Sequence, residues 1–233
     1  MISGTTRAGR AAVGAWALAL IACAPTFPSF AGGRTTPRGR TDLALGAAIR
    51  VPVGDLADEP TLVPVASGGV APGASVRHGV ARDIDLGLEV SGAAARAHLR
   101  LALGAGLVHL VTGLAPHVGL GHEGGELFRV GGTIPILLAV NVLSIYEVWI
   151  GLQLGVEHLF GQAGTDSISM TGLRTGGVVG LAVGFRRFHV LVELGIDHEL
   201  WTGSVSDVPG AASRPVERNG LVLTPAFGLR LRL

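Results

Sequence analysis

From residue 41 to residue 233 apolar side chains recur at every second position, and within these alternating stretches no Asp, Glu or Arg shares their phase. Val190-Leu191-Val192-Glu193-Leu194-Gly195-Ile196-Asp197 shows the pattern, as does the closing stretch Leu221–Leu233. A period of two belongs to an extended strand with two chemically different faces. It predicts ten strands, near 41–53, 69–79, 83–91, 95–104, 109–121, 126–141, 146–160, 174–186, 189–202 and 220–233. The 37 glycines oppose the helical alternative, since each helical Gly costs about 1 kcal/mol relative to Ala.

The two faces differ sharply. One carries Leu86, Leu88, Leu101, Ile136, Leu152, Val179, Leu194 and their neighbours in phase. The other carries Asp42, Arg50, Asp85, Glu89, Arg100, Arg129, Glu147, Glu157, Arg186, Glu193, Asp197, Glu199, Arg230 and Arg232. In a soluble sandwich the apolar face is the core, and such a core normally holds more aromatic bulk than the 5% found here. Only 15% of residues are charged, against about 25% in an ordinary soluble domain. A closed barrel in lipid turns the arrangement inside out, apolar outside and charged within, and leaves no open sheet edge in hydrocarbon. The expectation is an all-β fold: a closed antiparallel transmembrane β-barrel of about ten strands, with eight or twelve the neighbouring even counts.

The connections and aromatic residues follow the same geometry. Short links at Ala81-Arg82, Leu143-Ser144-Ile145 and Arg187 read as periplasmic turns, and longer polar links at 54–68, 161–173 and 203–219 as outer loops. Tyr146, Phe185 and Phe188 beside the short turns, and Phe128 and Phe160 at the opposite ends, form two sparse interfacial girdles, joined by His158 and His198.

The first 31 residues read as an address. Arg7 and Arg10 precede the apolar run Ala11–Ala22, which is too short to span a bilayer, and Pro25 and Pro28 follow it. Two processing sites compete: cleavage after Ala31, and a lipobox, Leu20-Ile21-Ala22-Cys23, that would leave a lipidated Cys23. Cleavage after Ala31 divides the chain into a signal peptide, 1–31, a short segment, 32–40, and a barrel, 41–233.

The stretch Arg77-His78-Gly79-Val80-Ala81-Arg82-Asp83-Ile84-Asp85-Leu86-Gly87-Leu88 resembles a strand–turn–strand of Gram-negative outer-membrane β-barrel proteins, and the alternation over 41–233 resembles that superfamily throughout. The resemblance implies the bacterial outer membrane as location, its lipid and lipopolysaccharide as surroundings, and the barrel-assembly machinery as a partner in biogenesis. The last residue, Leu233, departs from the aromatic terminus usual in such proteins.

Chemistry is sparsely encoded. All 18 basic residues are Arg, which excludes Schiff-base lysines and the phosphate-loop lysine. Cys23 is alone, so neither a disulfide nor a thiolate cluster can form within the chain. A net charge of +1 calls for no nucleic acid. The phrases Glu157-His158 and Asp197-His198-Glu199, with Gly121-His122-Glu123 as a weaker echo, suggest a metal or acid/His site at the outer rim. Adjacent residues on a strand face opposite ways, however, so His122, His158 and His198 belong to the lipid side and the acids to the lumen. Glu89 and Arg100 are expected to pair across a hairpin, and Arg230 or Arg232 to meet Asp42 where the barrel closes. These readings predict a monomeric barrel with no cofactor and no enzymatic activity, in a structural, narrow-pore or surface-interaction role. The alternatives are a small porin and a rim enzyme acting on lipid A or peptides, for which Glu157, Asp197 and Glu199 are the available groups and which an inward-facing His beside them would favour.

Overall fold

The computed structural model describes residues 32–58, 68–121, 126–143, 145–163, 165–185, 187–206 and 213–233. The signal-peptide and lipobox expectations at 1–31, together with His122, Glu123 and Arg186, lie outside the described residues.

Ten antiparallel strands form one closed barrel. They are β1 (Thr41–Val53), β2 (Gly69–Gly79), β3 (Ile84–Ser91), β4 (Ala94–Ala105), β5 (Val108–Gly121), β6 (Leu127–Val142), β7 (Tyr146–Ala163), β8 (Asp166–Phe185), β9 (Phe188–Ser206) and β10 (Arg214–Arg232). Each strand pairs with its neighbour in sequence, and β1 pairs with β10 from Asp42↔Arg232 to Val53↔Leu221, so no strand of the closed sheet is an edge strand. A four-residue helix, α1 (Asp55–Asp58), follows β1. Gly132–Val156, apolar enough to invite a helical reading, is the hairpin of β6 and β7. No helix among the described residues is long and apolar enough to cross a membrane.

The apolar phase faces outward. Leu45, Leu88, Ile150 and Leu152 are each 60% exposed or more, and Leu114, Val130, Leu181, Leu194 and Leu229 share that face. On β9 the outward stripe runs from Phe188 to Leu200. Thirteen residues at ~3.3 Å per residue, tilted by ~40°, give a band of roughly 30 Å, the scale of a bilayer's hydrocarbon.

Strand starts and ends depart from the sequence expectation on one side of the barrel. β8 begins at Asp166 rather than near 174, β9 continues to Ser206 rather than 202, and β10 begins at Arg214 rather than 220. Among the described residues the supposed outer loops 161–173 and 203–219 are therefore largely sheet. Two outer connections, at 92–93 and 164–165, are as tight as the periplasmic turns. The cause is a change of surroundings along each strand. On β8 the outward residues pass from Leu181 and Val179 to Thr171, Ser169 and Ser167, while inward-facing Met170 and Ile168 are buried. Above the membrane the polarity of the alternation reverses: water lies outside, and the lumen becomes an apolar core.

Candidate functional site: the charged lumen

Side chains fill the lumen in layers. At the periplasmic end Arg232 grips Asp42 with two hydrogen bonds of 2.7 Å where the barrel closes. Beside them Arg100 donates to both oxygens of Asp85, at 2.9 and 2.5 Å. Arg230 reaches from β10 to Glu147 on β7 at 2.8 Å. Residues 32–37 enter this layer. The backbone N–H of Thr36 donates to Asp85 Oδ2 at 2.6 Å, and Arg100 donates to the carbonyls of Gly32 and Arg34 at 3.2 and 3.0 Å.

The next layer is apolar: Ala44, Ala48, Ala102, Val111, Leu137, Ala139, Trp149, Val178, Ala182, Leu191 and Ala226. Trp149 donates its indole N–H to Glu193 at 3.1 Å and lies over Gly180, directly opposite on β8. A β-carbon at Gly180 would overlap the indole ring. Trp201 lies over Gly172 in the same way, on β9 and β8. In both places the missing side chain makes room for an indole in a narrow tube.

Above it lies a second charged layer. Glu199 accepts two hydrogen bonds of 2.8 Å from Arg50 and one of 3.0 Å from the Trp201 indole, and pairs with Arg174 at 2.9 Å. Glu157 pairs with Arg129 at 3.0 Å and lies 3.3 Å from His117 Nε2. Alongside, Glu89 binds Arg96 at 2.8 Å and His98 at 3.0 Å. The extracellular end is capped by a second apolar cluster of Leu56, Leu127, Leu159, Ile168, Met170, Trp201, Val205 and Val222, to which α1 contributes Leu56.

These contacts place the expected residues. Asp42, Arg50, Asp85, Glu89, Arg100, Arg129, Glu157, Glu193, Asp197, Glu199 and Arg230 are buried inside, and Arg232 is half-buried at the periplasmic mouth. The Glu89–Arg100 pair does not form. The register sets Asp85 opposite Arg100 and Glu89 opposite Arg96, so each acid takes the Arg directly across the hairpin. Asp42 takes Arg232, and Arg230 turns across the lumen to Glu147.

Arg77, Arg96, Arg174, His98 and His117 are lumen residues that the sequence reading missed. Arg96 and His98 share the phase of Arg100, which was the available signal. Arg174 fell at the supposed edge of a loop.

Phe128, Tyr146, Phe160, Phe185 and Phe188 lie on the outer face, as do His158 and His198. Phe160 stacks on both Phe128 and His158, with ring centroids 5.8 and 5.6 Å apart, and His158 Nδ1 lies 3.0 Å from the Thr171 hydroxyl. Among the described residues no three potential metal ligands converge.

The cavity beside the His117–Glu157 contact, bordered by Thr133, Gly155, Arg174 and Trp201, has a free volume of about 10 Å³, room for a single water. Its acids lie beneath the apolar cap rather than on the rim.

No protein-family model matches the sequence, and no curated protein is significantly similar to it. Solved structures do resemble the fold. Neisserial surface protein A matches 83% of this chain with 99% of its own at 11% identity and a TM-score of 0.39. OprG of Pseudomonas aeruginosa matches 85% with 98% of its own at 10% identity and a TM-score of 0.46. The translocator domain of the autotransporter NalP from Neisseria meningitidis matches 97% with 97% of its own at 10% identity and a TM-score of 0.43. These likenesses extend no further than the barrel, and the assignment rests on the chain's own geometry. A closed sheet with an apolar exterior and a charged interior makes this protein a ten-stranded transmembrane β-barrel.

Proposed function

We propose that the protein is a non-conducting, non-enzymatic outer-membrane barrel that acts through the surface it raises outside the membrane, in a structural or surface-interaction role. The observation that carries this reading is the filled lumen: two layers of paired charges, an apolar layer between them and an apolar cap above. About eight strands already enclose a space that side chains can fill, and here two indoles and the inserted residues 32–37 add to the filling. The extracellular wall supports the second half of the proposal. Ser167, Ser169 and Thr171 on β8 stand directly opposite Ser206, Ser204 and Thr202 on β9, a hydroxyl-bearing sheet with no lipid to face.

The enzymatic alternative has an inward His beside an acid, at His117 and Glu157, but the cavity beside them has room for a single water, which favours the non-enzymatic reading. Reconstitution into planar bilayers tests the proposal. The wild type is expected to show no stable conductance; large, ion-selective channels would overturn the reading in favour of a porin.

A further inference from the structure

We propose that removal of the leader after Ala31 creates the final lumen contact: the new α-ammonium group of Gly32 binds Glu147 and holds residues 32–37 in the barrel as an N-terminal latch. The inference deepens the filled-lumen reading and rests on it.

Three observations converge on Glu147. Glu147 is buried, 4% exposed as a whole residue. Arg230 holds Oε2 at 2.8 Å, while Oε1 has no hydrogen-bond partner among the described residues. That open oxygen lies against Gly32: a β-carbon built there would overlap Oε1 and crowd Arg230 at 2.5 Å. Gly32 also has a φ of +63°, a conformation that favours glycine. Position 32 thus joins a backbone and a carboxylate too closely for any side chain. A buried carboxylate oxygen without a partner is costly, and a charged donor is its strongest complement. Arg34 also interacts electrostatically with Glu147, from a half-buried position.

The rest of the segment is already fastened. Gly33 lies against Ala139 and Trp149, where a β-carbon has no room. Its flanking carbonyls and the Thr36 N–H are held by Arg100 and Asp85, and the Thr36 hydroxyl lies 3.3 Å from Asp42. The Gly39 N–H donates to the Gly79 carbonyl at 2.8 Å, and Gly79 returns a bond to Arg40 at 3.1 Å. This row of bonds leads from β1 to Glu147 and ends one residue after Ala31, one of the two processing sites that the sequence offers.

The covalent step is hydrolysis. Water adds across the Ala31–Gly32 amide, its oxygen going to the Ala31 carboxylate and its hydrogen to the Gly32 amine, which is protonated at neutral pH. The mature chain then has one primary amine, because the sequence contains no Lys.

An amine-reactive acetylating ester therefore reads Gly32 alone. Protein purified from outer membranes should have the intact mass of residues 32–233. In the folded barrel its amine should acetylate about tenfold more slowly, or more slowly still, than after heat denaturation in detergent, as expected of a group exposed only by local opening. Glu147→Gln, with folding confirmed by heat-modifiable gel migration, should speed acetylation of the folded form about fivefold or more. An amine that reacts equally fast in folded and denatured wild type overturns the latch without needing any variant to fold. A mass placing the N terminus elsewhere, or a folded Glu147→Gln barrel labelled at the wild-type rate, also overturns it. Bilayer conductance reads the filled lumen separately: a reactive amine in a silent barrel defeats the latch alone, whereas open channels defeat the broader reading.

Discussion

Single residues carry unequal loads in this lumen. Glu199 is a heavily engaged carboxylate, binding Arg50 through both oxygens, Arg174 through one and the Trp201 indole through the other. Removing one partner of a buried ion pair strands the remaining charges, at a cost of about 3–5 kcal/mol. Glu199→Gln is therefore expected to lower the temperature at which the folded band disappears from gels, whereas Glu217→Gln, on an exposed position of β10, should change stability by less than about 0.5 kcal/mol. The glycines under the indoles are similarly specific. Gly172→Val would displace Trp201, and with it a donor to Glu199, so the loss of stability should approach that of Glu199→Gln. Much of this was legible in the sequence, because charge and phase together select the lumen. The choice of partners was not. Which Arg meets Glu89 depends on hairpin register, and the two-residue turn at 92–93 sets Arg96 rather than Arg100 opposite it.

At the scale of the strand, phase decides which substitutions the membrane tolerates. Leu152 and Leu194 face lipid, and Arg at either should cost about 2–4 kcal/mol near the midplane. Gln153 is on the opposite face of β7, so Gln153→Arg should leave membrane insertion closer to wild type while straining the packing inside. Folding yield into lipid vesicles compares the variants, and equal defects for Leu152→Arg and Gln153→Arg would contradict the observed phase. The same measurement can follow β8 upward: Leu181→Arg should block insertion and Ser169→Arg should not, although both point outward. Strand existence and phase were readable because lipid keeps one side uniformly apolar. The upper ends of β8, β9 and β10 were not readable as strand. There Ser169 replaces leucine outside and Met170 replaces charge inside, so the period continues with its polarity reversed. A rule that looks for apolar outside and charge inside stops at that boundary.

The whole molecule behaves as its layers do together. The mature protein is expected to fractionate with outer membranes and to migrate differently in gels before and after heating; recovery in the soluble periplasmic fraction would contradict the membrane assignment. Conductance should require opening more than one layer. Arg100 lies in the periplasmic layer and Arg129 in the upper one, so Arg100→Ala with Arg129→Ala is expected to raise current above either single change.

The uneven wall has a consequence for the membrane itself. β3 has 8 residues and β8 has 20. At ~3.3 Å per residue and ~40° of tilt, the wall stands roughly 20 Å high on one flank and roughly 50 Å on the other. A hydrocarbon layer about 25 Å thick overtops the first and reaches only halfway up the second. Lipids bordering β3 must therefore shorten or tilt to meet it, at a fraction of a kcal/mol for each ångström of mismatch. The barrel thus has a bearing within the plane of the membrane, with a dip in the bilayer at its front and a polar screen at its back, and neighbouring molecules will encounter it by direction as well as by distance.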